Sequence, residues 1–275
     1  MSSAKMDARI IEAFAGDRTP KFLATISPDG VPNIAPVISL EAWDESTLIF
    51  GELMIWKTKA NLLSNPKVGA SVLTDDMNCW TVRGVFQGFE RTGERFEKIS
   101  MNDMFRYNAY TGVRNVGVIK VESVRRVKGM VSPARLLEMG YGSLRARGVK
   151  FERTGPMPPQ VTEKFSRVKA AKHICYADSD GYPLSLPSIT MFPTGHGALE
   201  FGAAEMKDFA GASPALPLRA AAAIITSDPV AYQIKGTVSA SKSAAGLRLA
   251  RLDVEDVYSS SPPVPGKRIN IRVAD

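Results

Sequence analysis

The chain has 275 residues, 44% of them apolar and 23% charged, and a net charge of +7. That length accommodates one large domain or two ordinary ones, and the balance excludes wholesale disorder, collagen-like repeats and coiled coils. Two cysteines, Cys79 and Cys175, and two histidines, His173 and His196, are too few for a disulfide framework or a Cys/His zinc cluster, so the expectation is no metal site and a reducing, cytoplasmic setting.

Asp7–Ala15 reads as a short amphipathic helix, and Asp7, Arg9 and Glu12 interrupt the apolar segment a secretory signal would need. The runs Phe22–Ile26, Ile34–Leu40 and Thr47–Phe50 are short, rich in β-branched residues and separated by Pro-Asp-Gly or acidic turns, the pattern of antiparallel hairpins. Thr58–Ser64 is helical in pattern, with Thr58 as N-cap and Asn65-Pro66 as stop. Val68–Leu73 and Trp80–Phe89 continue the strands, and Glu94–Tyr107 reads as an amphipathic helix. Gly129–Gln160, rich in Gly, Pro and Arg, is placed as the connection between domains, and Val161–Ala171 as a helix after it. Ala220–Ile225 is the longest nearly apolar stretch, far short of the ~18–20 residues that cross a bilayer, so no membrane is expected. Ser259–Pro265 reads as an extended, proline-rich surface segment. Between Arg145 and Lys172 eight basic residues stand against Glu152 and Glu163, yet no aromatic-interleaved or helix-turn-helix pattern accompanies them, which argues for a solvated face over nucleic acid.

An internal repeat organises these elements. Leu23–Pro36 (LATISPDGVPNIAP) matches Ile174–Pro187 (ICYADSDGYPLSLP), aligning Asp29-Gly30, Pro32 and Pro36 with Asp180-Gly181, Pro183 and Pro187. Thr81–Gly84 is echoed by Gln233–Gly236, and Val121–Val124 by Val254–Val257, in the same order. Many short strands with few helices predict closed β-barrels. The expected division is a first barrel over 1–130, a linker over 131–160 and a second barrel over 161–275.

The segment from Gly51 to Leu62 carries the chemistry. A helix start beside Lys57, Thr58 and Lys59 offers unpaired N–H groups, a partial positive charge and side-chain donors, which suit a phosphate. The Walker spacing is absent, and a capped surface helix with two ordinary lysines accounts for the same residues equally well. No Ser-His-Asp, Cys-His or paired-carboxylate arrangement stands out, so no catalytic residue is named. His173 and His196 read as structural, and Cys79 as a small buried apolar residue.

The order Asp-Gly hairpin, strand, Lys57-Thr58-Lys59-Ala60-Asn61-Leu62, Asn65-Pro66-Lys67-Val68, then a strand with Val82-Arg83-Gly84 resembles the FMN-binding split-barrel family, which includes pyridoxamine 5'-phosphate oxidase-like proteins. The resemblance covers Lys21–Phe89 and, weakly, the second copy. It implies a mainly β protein of two tandem six-stranded split barrels of Greek-key type. It also implies that Lys57 and Thr58 grip the FMN phosphate, with Lys59 and Asn61 nearby, and that Ala35, Pro36, Val37 and Ile38 lie along the isoalloxazine. Backbone around Phe50 and Gly51 would face the ring, and Arg83 would approach its polar edge or a phosphate. Trp56 would stack on the flavin or plug the barrel end.

Members of that family pair with the flavin between subunits. The second copy carries Glu205, Lys207 and Asp208 where the first has its lysines, so it is expected as a structural wall rather than a second site. The chain lacks a tryptophan- and arginine-rich C-terminal motif, which argues against oxidation of the vitamin. The expected function is an FMN-dependent oxidoreductase or reductase acting on a small molecule or with a nicotinamide reductant, as a possible homodimer. Deazaflavin or haem as cofactor, a non-enzymatic carrier and a cofactor-free interaction protein are the alternatives.

Overall fold

The computed structural model describes residues 5–17, 19–102, 112–149, 155–243, 246–262 and 264–270. Helix α1 (Ala8–Ala15) starts where the Asp7 carboxylate accepts the Ile10 N–H at 3.0 Å, and it buries Ile10, Ala13 and Phe14. The first half then folds as β1 (Lys21–Ile26), β2 (Pro32–Pro36), β3 (Glu41–Asp44), β4 (Thr47–Gly51), α2 (Trp56–Ser64), β5 (Lys67–Leu73), β6 (Cys79–Glu90), α3 (Glu94–Ser100) and β7 (Val116–Arg126). After α4 (Pro133–Arg147) and α5 (Pro159–Ser166) the second half runs through β8 (Ala171–Ala177), β9 (Pro183–Pro187), β10 (Phe192–Pro193), β11 (Ala198–Gly202), a 3-10 turn at Ala203–Glu205, β12 (Leu218–Ile225), β13 (Ala231–Lys242) and β14 (Arg248–Ser259).

Each half is a seven-stranded antiparallel sheet, ordered β2-β1-β5-β6-β7-β4-β3 in the first and β10-β11-β14-β13-β12-β8-β9 in the second. Substituting β8–β14 for β1–β7 turns one order into the other read backwards, so the chain is two split barrels of one topology in tandem. β4 pairs with β7 rather than β5, a Greek-key return. The matched prolines bound β2 and β9, and Gly84 and Gly236 follow the same bulge in β6 and β13.

The strands between the halves are apolar on both faces. In β1, Leu23 points into its own barrel while Phe22 and Ala24 point at the other half. In β12, Ala220, Ala222 and Ile224 point inward while Ala221 and Ala223 point across. The shared layer of Phe22, Ala24, Ile34, Cys79, Cys175, Ala221 and Ala223 welds the halves together, and burying a side chain such as Phe22 contributes ~1.5–3 kcal/mol. The approach is close: a Cβ on Gly69 would lie 2.0 Å from the Pro183 carbonyl oxygen. His173, the counterpart of Phe22, stacks on it with ring centroids 4.0 Å apart.

Several expectations need correction. Each sheet has seven strands rather than six, because β3 and β10 are too short and too polar or proline-bound to show an alternating pattern. The strand expected over Ile34–Leu40 ends at Pro36, after which Leu40 N–H closes a turn on the Val37 carbonyl at 3.1 Å. The connection 131–160 contains α4, capped by Ser132 and packed on β10 and β11. The helix expected over Val161–Ala171 spans Pro159–Ser166, because Ala171 already pairs with Ile225 in the sheet. The Glu94 helix is described to Ser100, and residues 103–107 of that expectation lie outside the described residues. The basic stripe is not one surface: Arg145 pairs with Glu200, Lys164 and Arg167 pair with Asp228, and Lys172 is buried with its ammonium on the Met191 carbonyl at 2.7 Å. Its residues 150–154 lie outside the described residues. No described helix is long and apolar enough to cross a membrane, and no described cluster of His, Cys, Asp and Glu could hold a metal.

Candidate functional site

β4 ends at Gly51, whose N–H is held by the Ser39 hydroxyl at 3.0 Å, and the chain then turns through Glu52–Ile55 into α2. Glu52 anchors this turn: its buried carboxylate takes Lys59 Nζ at 2.6 Å and the Asn115 amide. The helix starts at Trp56 with Ile55 in the capping position and no side-chain cap. Thr58 is therefore in the first turn, not at the N-cap, and the leading N–H groups are left for a ligand.

Beside this helix start lies a cavity of about 420 Å³. One wall is β2 and its extension, with Asn33, Ala35, Pro36, Val37, Ile38 and Ser39; another is Gly51 and the turn into Trp56, Lys57 and Thr58. The third comes from the second half: Gln233 on β13, Tyr258 at the end of β14, and the strap that follows it. Two further described cavities are each about 10 Å³.

A ladder of amides couples these walls. Gln233 Nε2 donates to Asn33 Oδ1 at 3.1 Å, and Asn33 Nδ2 donates to Thr25 Oγ1 at 3.3 Å and Thr58 Oγ1 at 3.2 Å. Asn61 Nδ2 also donates to Thr25, at 3.0 Å. The Thr58 oxygen is thus occupied as an acceptor and its hydrogen is free to point at a ligand. Lys57 sits across the seam with Nζ 3.1 Å from the centroid of the Tyr258 ring. Burial, then the like charges of Lys235 and Arg268 against the opposing pull of Asp256, lowers its pKa to about 8.

Of the residues singled out in the sequence, Ala35, Pro36, Val37, Ile38, Gly51, Trp56, Lys57 and Thr58 converge on this cavity. Trp56 is 53% exposed under the Arg114 guanidinium, so it stands at the mouth and plugs nothing. Lys59 and Asn61 are turned away, held by Glu52 and Thr25. Arg83 is a correction: it does not line the cavity but pairs with Asp178 and, at 3.2 Å, Asp180 of the second half. The sequence reading missed Asn33, Ser39 and the whole third wall. The repeat carried a signal for that wall, since Gln233 occupies in β13 the place of Thr81 in β6.

The equivalent place in the second half is filled by the chain itself. Gly202 N–H donates to Thr190 at 2.8 Å, as Gly51 does to Ser39, but Glu205 then turns its buried carboxylate onto the Ile189 N–H at 3.1 Å and the Ser188 hydroxyl. Burial raises the pKa of Glu205. Phe209 packs under Arg83 at 4.4 Å, and Arg125 donates to the Lys207 and Asp208 carbonyls. His196 is buried on Thr162 and the Met157 carbonyl, so neither histidine touches the cavity.

No family model and no curated protein matches the chain. Among solved structures it is similar to the HupZ protein of Group A Streptococcus, at 22% identity over 45% of this chain and 94% of that one, with a TM-score of 0.38. It is also similar to an FMN-binding protein of Syntrophomonas wolfei, at 23% identity over 44% and 88% with a TM-score of 0.39. An F420 reductase matches at 25% identity over 42% and 95%, with a TM-score of 0.32. Each match spans under half of this chain and most of its own.

Proposed function

We propose that the cavity is a flavin site and that the protein is an FMN-dependent oxidoreductase. The observation that carries this is the pairing, in one cavity of about 420 Å³, of an uncapped helix start bearing Lys57 and Thr58 with the apolar strand Ala35–Ile38. The two ends differ in the way a phosphorylated, planar ring system differs along its length. The second half closes the cavity with Gln233 and Tyr258, so one chain supplies every described wall.

A bound flavin supplies hydride and electron transfer; the chain supplies its binding and orientation. The N–H groups of the first turn, the Thr58 hydroxyl and the Lys57 ammonium would hold the phosphate. Pro36 and Val37 would lie along the ring. Lys57 and Tyr258 are the titratable side chains in the described lining, with no carboxylate and no imidazole among them. A proton delivered at the open side, near Ile38 and Trp56, comes from solvent or substrate. The substrate is a small molecule or a nicotinamide reaching the ring from that mouth. A haem would find no histidine in the walls.

The visible spectrum of the purified protein tests the reading, followed by titration with FMN. Flavin bands, or saturable quenching of added FMN, are expected; a visible band shifted away from that of FMN marks a deazaflavin. A colourless protein that ignores both cofactors removes the proposal.

A further inference from the structure

The internal duplication exposes a cation without an ion-pair partner among the described residues. Arg83 on β6 and Lys235 on β13 occupy the same place, each immediately before the bulge glycine of its half. Arg83 crosses to the other half and meets Asp178, a buried carboxylate in the hairpin after β8. The matching position in the hairpin after β1 is Ser27, whose hydroxyl is engaged by the Val31 N–H at 3.1 Å. Lys235 is only 9% exposed, yet its ammonium forms no hydrogen bond or ion pair with any described residue. It rests 5.9 Å from the centroid of the Tyr258 ring, the ring that Lys57 also covers.

The neighbouring charges do not neutralise it. Asp256 acts on both lysines through space, but it is ion-paired with Arg268 at 2.6 Å and accepts the Tyr258 hydroxyl at 3.2 Å. Lys57, Lys235 and Arg268 thus surround Tyr258 with Asp256 as their carboxylate. A buried cation without a counter-ion is costly, and an anion that enters the site removes the cost. The asymmetry follows the cavity: on the plugged side the chain provides Asp178, and on the open side that carboxylate is missing.

We propose that Lys235, which stands behind the Tyr258 wall and outside the described lining of the cavity, is a second anion-holding residue, acting from the other half of the chain past the Tyr258 ring to join Lys57 on one dianionic group such as a phosphomonoester. This rests on the phosphate reading of the site and adds a residue that belongs to no motif of the first half. The two lysines approach the group from opposite halves, so the ligand's charge helps hold the halves together. A monocarboxylate would leave part of the positive charge unmatched.

The test is Lys235→Met, with FMN, riboflavin and inorganic phosphate as probes. FMN affinity should fall roughly ten- to hundredfold while riboflavin affinity stays unchanged, since the two differ only in the phosphate. The ligand-free variant should melt no lower than wild type, because a buried unpaired cation has been removed; a residue of merely structural importance would lower it. Equal losses for FMN and riboflavin, or an unchanged FMN affinity, overturn the assignment. If wild type binds neither flavin, the flavin reading fails on its own, and inorganic phosphate decides about Lys235: thermal stabilisation of wild type but not of the variant sustains it, and equal or absent stabilisation overturns it.

Discussion

His173→Phe should stabilise the protein and remove part of its acid sensitivity. The imidazole is fully buried between the halves, stacked on Phe22, and neither ring nitrogen has a hydrogen-bond partner. A neutral imidazole still carries one donor and one acceptor, so the site bears a desolvation cost of ~1–3 kcal/mol with nothing returned. Phenylalanine is the residue the first half uses at the matching position, Phe22. Allowing for the slightly larger ring, a net gain of about 1–2 kcal/mol is expected at pH 7, or roughly 2–5 °C in melting temperature.

The pH dependence adds a second, independent readout. Burial lowers the His173 pKa from 6.5 to about 3, so the folded state stays neutral where the unfolded chain takes up a proton. Stability is complete above pH 6.5 and is lost as pH falls toward 3. At pH 5 the loss is about 2 kcal/mol, set by the unfolded pKa alone as long as the folded value is well below 5. Urea unfolding at pH 7 and pH 5 measures both effects. A variant that is less stable at pH 7 and keeps the full acid loss would refute the account of the interface.

Replacing Lys57 and Thr58 together by alanine should weaken FMN by one to three decades, from ~1.5–3 kcal/mol for the charged bond and ~0.5–1.5 for the neutral one, with the fold intact by circular dichroism. Flavin bound per chain should saturate at one, because Glu205 and Phe209 fill the second-half equivalent; equilibrium dialysis giving two equivalents would sink that conclusion. FMN affinity should weaken as pH rises through about 8, where Lys57 loses its proton, while riboflavin affinity holds level; parallel profiles for the two ligands would separate Lys57 from the phosphate.

The duplicated topology was legible because its punctuation is chemical. Asp29-Gly30 and Asp180-Gly181 turn hairpins with glycine at positive φ, and Pro32, Pro36, Pro183 and Pro187 delimit the strands they lead into. The helix start at Lys57 was legible for the same reason, as a local pattern of donors. What stayed hidden depends on contacts between distant positions. Arg83 carries the same local pattern whether it faces a ligand or Asp178, and only the docking of the halves decides. Gln233 and Tyr258 enter the site through that docking. The strap after Tyr258 reads as a surface segment because proline composition indicates extension without indicating what the extended chain covers. Helix α4 was concealed by its own glycines, Gly140 and Gly142, the second of which lets Phe192 approach.

The alternation along β1 and β2 has a consequence during synthesis. Once Arg126 has emerged, the first sheet is complete, and Phe22, Ala24 and Ile34 form an apolar face whose cover, from β8 and β12, is finished only about 100 residues later. At ~5–20 residues per second that face waits for roughly 5–20 s. A ribosome-bound first half of one chain can meet the same face on another, since the two halves share one topology. The cavity is completed later still, as Tyr258 and its strap follow β12. The nascent chain therefore passes through a stage with an exposed apolar face and an incomplete cavity, and slow translation or a shortage of chaperone would show itself as aggregated first halves before any loss of ligand binding in the molecules that reach completion.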